Sequence, residues 1–258
     1  MIEFRGVDFS YEDRPVIKNV SFQIEERESV VIMGPSGSGK STILRLILGL
    51  ECPQKGDILV DGQNICRMKD REKQEIRKKI GMVFQDGALF DSLSVWENVG
   101  YYLLEHTAMS AENVGRKAVE MLGFVGLDAD EIQDKLPEQL SGGMQRRVAI
   151  GRALLSTDPK VMLYDEPTTG LDPQATENVI NLINMLHSQK SISSIVVTHQ
   201  IADAIAMANR FIVFIDGEIV FDGSLEQLRD CQDPGVQSFL APFREAVTGV
   251  TDKKFVDR

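Results

Sequence analysis

Residues Gly34, Pro35, Ser36, Gly37, Ser38, Gly39, Lys40 and Ser41, followed by Thr42, match the pattern G-x-x-x-x-G-K-[ST]. The types and spacing suit phosphate binding. Glycines let consecutive backbone N–H groups turn inward around phosphate oxygens, and a helix N-terminus adds partial positive charge at the same place. Lys40 can reach the β- and γ-phosphates, and the Ser41 hydroxyl can take a place on Mg²⁺. The motif needs a strand before it and a helix after it. Val30-Val31-Ile32 is an apolar β-branched run leading in, and Ile43, Leu44, Ile47 and Leu48 lead out at helical spacing. The pattern in this context implies a nucleoside triphosphate as ligand.

A second group of chemically able residues lies further along. Val161-Met162-Leu163-Tyr164 is an apolar run ending in two carboxylates, Asp165 and Glu166. A strand buried on both faces delivers such groups to the carboxyl end of a parallel sheet, where ligands bind. There Asp165 would hold Mg²⁺, directly or through water, and Glu166 would orient and deprotonate an attacking water. An Asp-Glu pair can also simply begin a loop. His199 follows Ile195-Val196-Val197-Thr198 at the end of another expected strand, where it could meet the γ-phosphate or the water; a lone histidine is more often structural. His106 and His187 have no comparable context. Leu140-Ser141-Gly142-Gly143-Met144-Gln145 precedes a helical run, so Ser141 supplies an N-cap and the glycines supply backbone N–H groups for a second anion site. Two such helix starts in one chain suggest an ATP gripped between two copies.

The elements that must position these groups follow from periodicity. Residues 2–9 and 20–24 partly alternate apolar and polar, as half-buried antiparallel strands do. Tyr11, before the polar turn Glu12-Asp13-Arg14-Pro15, can stack on a base or pack plainly. Residues 56–62 read as a short strand, residues 80–84 as a buried strand running into Gln85, and residues from about 94 to 137 as helical. Val179, Leu182, Ile183 and Leu186 form a helical stripe between two strand-like runs, which indicates parallel βαβ units. Residues 211–221 read as a hairpin turning at Asp216-Gly217. Beyond 241 the periodicity stops, as expected of a disordered tail or an arm that folds on a partner.

Composition bounds the rest. The chain has 258 residues, 28 Lys and Arg against 39 Asp and Glu, and a net charge of −11. So acidic a surface argues against nucleic acid as partner. The run from Arg67 to Lys79 holds seven cations and three acids, and reads as a solvated helix face. Cys52, Cys66 and Cys231 lie apart without C-x-x-C spacing, so neither a disulfide framework nor a zinc site is expected. No secretory leader and no run of 18 apolar residues is visible, and a soluble cytosolic protein is expected.

The phosphate loop, Gln85, the Leu140–Gln145 run, Asp165-Glu166, Thr169-Gly170-Leu171-Asp172 and His199 occur in the order of ABC transporter ATPases, which residues 1 to about 230 resemble. The resemblance implies an α/β P-loop NTPase fold. Its parts would be a RecA-like parallel-sheet core, an N-terminal antiparallel β subdomain and an inserted helical subdomain. The ATPase domain would span 1–240 with the helical subdomain at about 92–158, leaving 241–258 as a tail. It further implies a head-to-tail homodimer with two ATPs. Each would sit on Lys40, Ser41 and Thr42 of one subunit and on Ser141 and Gly143, with Gly142 between them, of the other. Tyr11 matches the base-stacking aromatic, Gln85 the Mg²⁺-contacting glutamine, Asp172 the loop crossing to the partner and Glu166 the catalytic carboxylate. Tyr164 and Gly170 depart mildly from the family pattern.

The segment Phe84–Val99 matches the surface that faces a permease in this family. Its Gly87-Ala88-Leu89-Phe90 core, with Asp165–Pro173, is similar to the ATPase of Mla-type (MCE-protein) phospholipid transporters. That likeness implies an integral-membrane permease, an MCE-domain protein and a small accessory protein as partners, and a place on the cytoplasmic face of the inner membrane. A polar-solute importer of the amino-acid type is the alternative, with Ala88-Leu89-Phe90 merely a packing plug. A soluble ABC ATPase would need a second cassette or a long coiled-coil insertion, and neither is seen. Glu166 and His199 count against a catalytically weak regulatory cassette.

Overall fold

The computed structural model describes residues 1–157 and 159–243. From the N-terminus, β1 (Ile2–Tyr11) and β2 (Arg14–Ile24) form a hairpin, then β3 (Ser29–Met33) runs through the phosphate loop into α1 (Lys40–Ile47). The chain continues through β4 (Lys55–Val60), β5 (Gln63–Asn64), a 3₁₀ turn (Ile65–Arg67), α2 (Asp70–Arg77) and β6 (Ile80–Val83). Three helices follow: α3 (Val95–His106), α4 (Ala111–Phe124) and α5 (Ala129–Ile132). Then come α6 (Gly142–Ser156), β7 (Val161–Asp165), α7 (Pro173–Lys190), β8 (Ser193–Thr198) and α8 (Ile201–Met207). β9 (Arg210–Ile215), β10 (Glu218–Ser224), α9 (Leu225–Asp230) and α10 (Pro234–Leu240) close the described chain, with a last 3₁₀ turn to Phe243. The tail expected at 241–258 lies, after Phe243, outside the described residues.

Two compact units emerge, one made of Met1–Met68 and the chain from Ile195 onward, the other of Lys69–Ser194. In the first, β2-β1-β4-β5 form an antiparallel sheet. Alternation places Ile2, Phe4, Val7 and Phe9 of β1 in the core, where Phe4 stacks on Phe22 with centroids 4.5 Å apart. β3 is buried along its whole length and pairs parallel with β9, which pairs antiparallel with β10. Asp216 (φ 50°) and Gly217 (φ 87°) form the hairpin turn expected from Asp-Gly, because left-handed backbone at both positions matches strand twist. Arg210 closes this unit: it donates to both oxygens of Asp222, to Glu28 and to the Gln23 carbonyl. These carboxylates hold its guanidinium pKa above the usual value.

In the second unit β6 and β7 are parallel, and the packing partners are α6 with β6, α3, α4 and α7. Within the Arg67–Lys79 run, Asp70–Arg77 forms α2, of which only Ile76 is buried. α7 is capped by Asp172, carries Pro173 in its first turn and buries the stripe Val179, Leu182, Ile183 and Leu186. Tyr164 is fully buried on β7, its hydroxyl has no hydrogen-bond partner among the described residues, and burial pushes its pKa up.

The cysteines differ from the expectation of no disulfide. Cys52 and Cys66 are joined in a disulfide, with Cα atoms 5.6 Å apart, and Cys231 is free. Spacing along the chain hid this because two turns fold the segment back on itself. Gly49 (φ 61°) turns the chain off α1, and a Cβ there would lie 2.8 Å from Ile65 Cγ1. The tight pairing of β4 with β5 then returns the 3₁₀ turn to the residues that follow α1.

Candidate active site

The phosphate loop lies wholly in the first unit. Gly34 follows β3 so closely against β9 that a Cβ would sit 2.0 Å from the Phe214 carbonyl oxygen. Gly39 has φ 107°, and a Cβ there would lie 2.8 Å from Val16 Cγ1. No side chain fits either position without displacing the loop. Ser38 N–H donates to the Pro35 carbonyl at 3.2 Å, and the N–H groups of Thr42 and Ile43 reach the Gly39 carbonyl as α1 begins. Lys40 is only 5 % exposed, and its Nζ donates to the carbonyls of Gly34 (2.8 Å) and Pro35 (2.9 Å). The ammonium is therefore folded back across the loop it follows. Ser38 Oγ is buried with no hydrogen-bond partner among the described residues, which fits a loop shaped to give a hydroxyl donor to a phosphate oxygen. Pro35, Ser36, Gly37 and Ser41 are exposed, and Thr42 is buried.

Tyr11, at the end of β1, packs edge-on against Phe9 at 4.8 Å, and its hydroxyl accepts from Arg45 Nη1 at 3.4 Å. His199 stands directly after β8, half-buried, beside the Thr198 hydroxyl that accepts from Gln200 N–H. The first unit thus carries Tyr11, residues 34–42 and His199. The other two histidines have structural contacts: His106 lies against Tyr102, and His187 Nδ1 is 3.2 Å from the Ile192 carbonyl.

The second unit carries Gln85, Ser141–Gly143, Asp165, Glu166 and Asp172. Asp165 ends β7 half-buried. Glu166 turns the chain out of the strand with φ 49°, left-handed backbone that a glutamate adopts only under constraint. Its side chain is 8 % exposed, and Oε2 accepts from the Thr169 hydroxyl at 3.0 Å. Position and orientation of the carboxylate are both set by this turn.

Ser141 caps α6, its Oγ accepting from Met144 N–H at 3.3 Å. A Cβ on Gly143 would lie 2.6 Å from Ala175 Cβ, so the glycine allows α6 to approach α7. Asp172 Oδ1 caps α7 by accepting from Ala175 N–H at 2.9 Å. The partner contact expected of Asp172 from its motif does not announce this capping bond, which becomes visible only with α7 in place.

Gln85 is exposed at the end of β6, and the loop after it is built by residues the sequence did not single out. Arg146 donates to the Phe84 carbonyl (2.7 Å), and Arg152 donates to the carbonyls of Gly87 and Ala88 (2.8 Å each). The Arg152 guanidinium also lies 5.6 Å over the Phe90 ring. Burial lowers the pKa of both arginines, and Asp86 partly offsets this at Arg146. Fully buried Asn98 donates to the carbonyls of Phe90, Leu93 and Ser94 and accepts from Phe90 N–H. Gly87 (φ 72°) and Ala88 (φ 47°) make the bend, and Phe84 and Phe90 remain 42 % and 41 % exposed. Both arginines sit on α6, the helix that begins at Gly142. Arg146 and Arg152 lie six residues apart, on different sides of the helix, so no sequence period marks them as a pair.

Residues 17–169 match the family model described as ABC transporter. The chain belongs to the ABC transporter family. As an ABC transporter ATPase it binds ATP and couples its hydrolysis to transport. It is 40 % identical, over 93 % of its length and 90 % of the relative's, to the intermembrane phospholipid transport system ATP-binding protein MlaF of Haemophilus influenzae. It is also 40 % identical to the chloroplastic protein trigalactosyldiacylglycerol 3 of Arabidopsis thaliana, over 93 % of this chain and 73 % of that one. Among solved structures, a dimeric ATP-binding cassette in a post-hydrolysis state with ADP and Pi is similar at TM-score 0.78 and 37 % identity. That match covers 87 % of this chain and 98 % of the other. No helix among the described residues is long and apolar enough to cross a membrane.

Proposed function

We propose that this ABC transporter ATPase drives a membrane permease that moves phospholipid. The observation that carries the reading is the 40 % identity to a phospholipid transport ATP-binding protein over nearly the whole of both chains. The exposed Phe84 and Phe90 on the braced loop after Gln85 suit a surface that docks on an apolar-lined partner. The ATPase works as a head-to-tail homodimer at the cytoplasmic face of the inner membrane, a reading supported by the dimeric state of its structural neighbour. An MCE-domain protein and a small accessory protein complete the assembly, and residues 241–258 serve as an interaction arm.

Within the dimer, each ATP binds the loop 34–42 of one subunit and Ser141–Gly143 of the other, with its base on Tyr11. Lys40 leaves its carbonyl contacts for the β- and γ-phosphates, and the Ser38 hydroxyl donates to a phosphate oxygen. Glu166 orients the attacking water and takes its proton as the bond from the γ-phosphorus to the leaving ADP oxygen breaks. His199 holds the γ-phosphate or that water. Asp172 shapes the loop facing the partner. Ser41, Gln85 and Asp165 are hard oxygen donors suited to Mg²⁺, which neutralises charge on the β- and γ-phosphates when bound.

The test is a pull-down from gently solubilised membranes with mass spectrometry of the bound proteins. A permease recovered with an MCE-domain protein is the expected result. A permease recovered with a solute-binding protein overturns the phospholipid reading in favour of a polar-solute importer.

A further inference from the structure

We propose that Cys52 and Cys66 form a reversible thiol–disulfide modification site whose co-reactant is a low-molecular-weight disulfide of the glutathione class. Their Cα separation of 5.6 Å lies within the range a disulfide spans. What makes this a site is that bonds other than the sulfur link hold both residues in place. On one side, Gln54 anchors the segment carrying Cys52 to β1. Its N–H donates to the Asp8 carbonyl (2.9 Å), its Nε2 to the Ser10 carbonyl (3.0 Å), and its Oε1 accepts from Ser10 N–H (2.8 Å). The same segment is fixed to α1 by Leu50 N–H on the Arg45 carbonyl at 3.0 Å. On the other side, Cys66 N–H donates to Asn64 Oδ1 at 3.0 Å, which sets the start of its 3₁₀ turn. Buried Ile65 and the close approach of Gly49 fix that turn against the chain leaving α1. The two thiols of the reduced protein are therefore kept within reach of each other.

Access is graded in the order exchange requires: Cys52 is exposed and Cys66 half-buried. The Cys52 thiolate attacks the small disulfide, forming a mixed disulfide and releasing one small thiol. The Cys66 thiolate then attacks the Cys52 sulfur, closing the bond and releasing the second small thiol. The protein loses two electrons and two protons, and the reagent is reduced to two thiols. Metal binding is the other use of paired cysteines, but no cluster of three or more His, Cys, Asp or Glu able to hold a metal occurs among the described residues. Closure staples the residues following the phosphate-loop helix to the end of the β4–β5 return.

The experiment treats full-length Cys231→Ser protein with glutathione disulfide or with dithiothreitol, then maps peptides after alkylation and records melting temperature. The expected result is a Cys52–Cys66 cross-linked peptide that dithiothreitol removes. With it comes a melting temperature roughly 5–10 °C higher in the oxidised form, as closing a loop of this size produces in a chain of this length. Cys52→Ser, a change at an exposed position, should keep the fold and show neither effect. Both cysteines fully alkylated after oxidation, or glutathione carried separately on each with no cross-link, overturns the proposal.

Discussion

Lys40 shows how a single side chain joins fold and chemistry. It is buried, it donates to two carbonyls of its own loop, and its motif marks it as the phosphate contact. Lys40→Ala should lower ATP affinity by more than about 100-fold and take hydrolysis below detection, as loss of a charge-assisted contact to phosphate requires. Titration with a fluorescent ATP analogue measures this, and unchanged turnover would remove Lys40 from the mechanism. The residues of this loop were legible from sequence because their constraints are local. Gly34 and Gly39 are glycines since backbone and side-chain atoms stand where a Cβ would go, and that requirement is written into adjacent positions. Tyr11 was less legible. Its packing on Phe9 and its bond to Arg45 come from tertiary neighbours, and they account for an aromatic there by packing alone, leaving base stacking as a proposal.

Elements carry the parts that sequence left hidden. The loop between β6 and α3 is shaped by Asn98, eight residues from its Phe90 partner, and by Arg152, 65 residues from Gly87. No periodicity announces a side chain whose work is to satisfy distant carbonyls. Asn98→Ala removes the side-chain donor from the Phe90, Leu93 and Ser94 carbonyls and the acceptor from Phe90 N–H. The Phe90 and Ser94 carbonyls keep the backbone N–H groups of Leu93 and residue 98, so the unmet groups are the Leu93 carbonyl and Phe90 N–H, a loss of about 2–4 kcal/mol. The melting temperature should fall by roughly 5–10 °C, and a fall under one degree would mean that the loop does not depend on this residue. At the start of α3, Glu97 accepts from both the hydroxyl and the N–H of Ser94, and these bonds lower its pKa below the usual carboxylate value of 4.5. A carboxylate lowered in the folded state stabilises it above its unfolded pKa, and that contribution is lost as pH falls through the folded value. Wild type should therefore lose melting temperature below about pH 4.5 more steeply than Glu97→Gln, which keeps the capping geometry without the charge. Parallel pH profiles for the two proteins would show that the cap charge is not felt.

At the scale of the whole molecule, the α/β class, the antiparallel β portion and the ABC ATPase family were all readable, since each rests on motif order and strand patterning. The division of the chain at Met68 and Ser194 was not, because no Gly- or Pro-rich linker marks either boundary. The disulfide escaped for a related reason: chain reversal brings Cys52 to Cys66, and composition carries no record of reversal. Dimerisation belongs to this scale as well. Glu166→Gln keeps the shape of the side chain and removes the charge proposed to activate water, so ATP hydrolysis should drop by at least about 100-fold while ATP binding persists. With ATP and Mg²⁺ this variant should elute at twice the monomer mass, and with ADP at the monomer mass. Monomer elution in both nucleotides would count against the dimer.

The left-handed backbone at Glu166 bears on how this protein would respond to laboratory evolution. A bulky residue there costs about 1 kcal/mol that asparagine or glycine would recover, and burying its carboxylate adds to the cost. Selected for heat resistance alone, the population should drift toward Glu166→Asn, gaining lifetime at high temperature while losing turnover. Deep sequencing of such a library, grown with and without demand for transport, would show asparagine enriched in one arm and purged from the other.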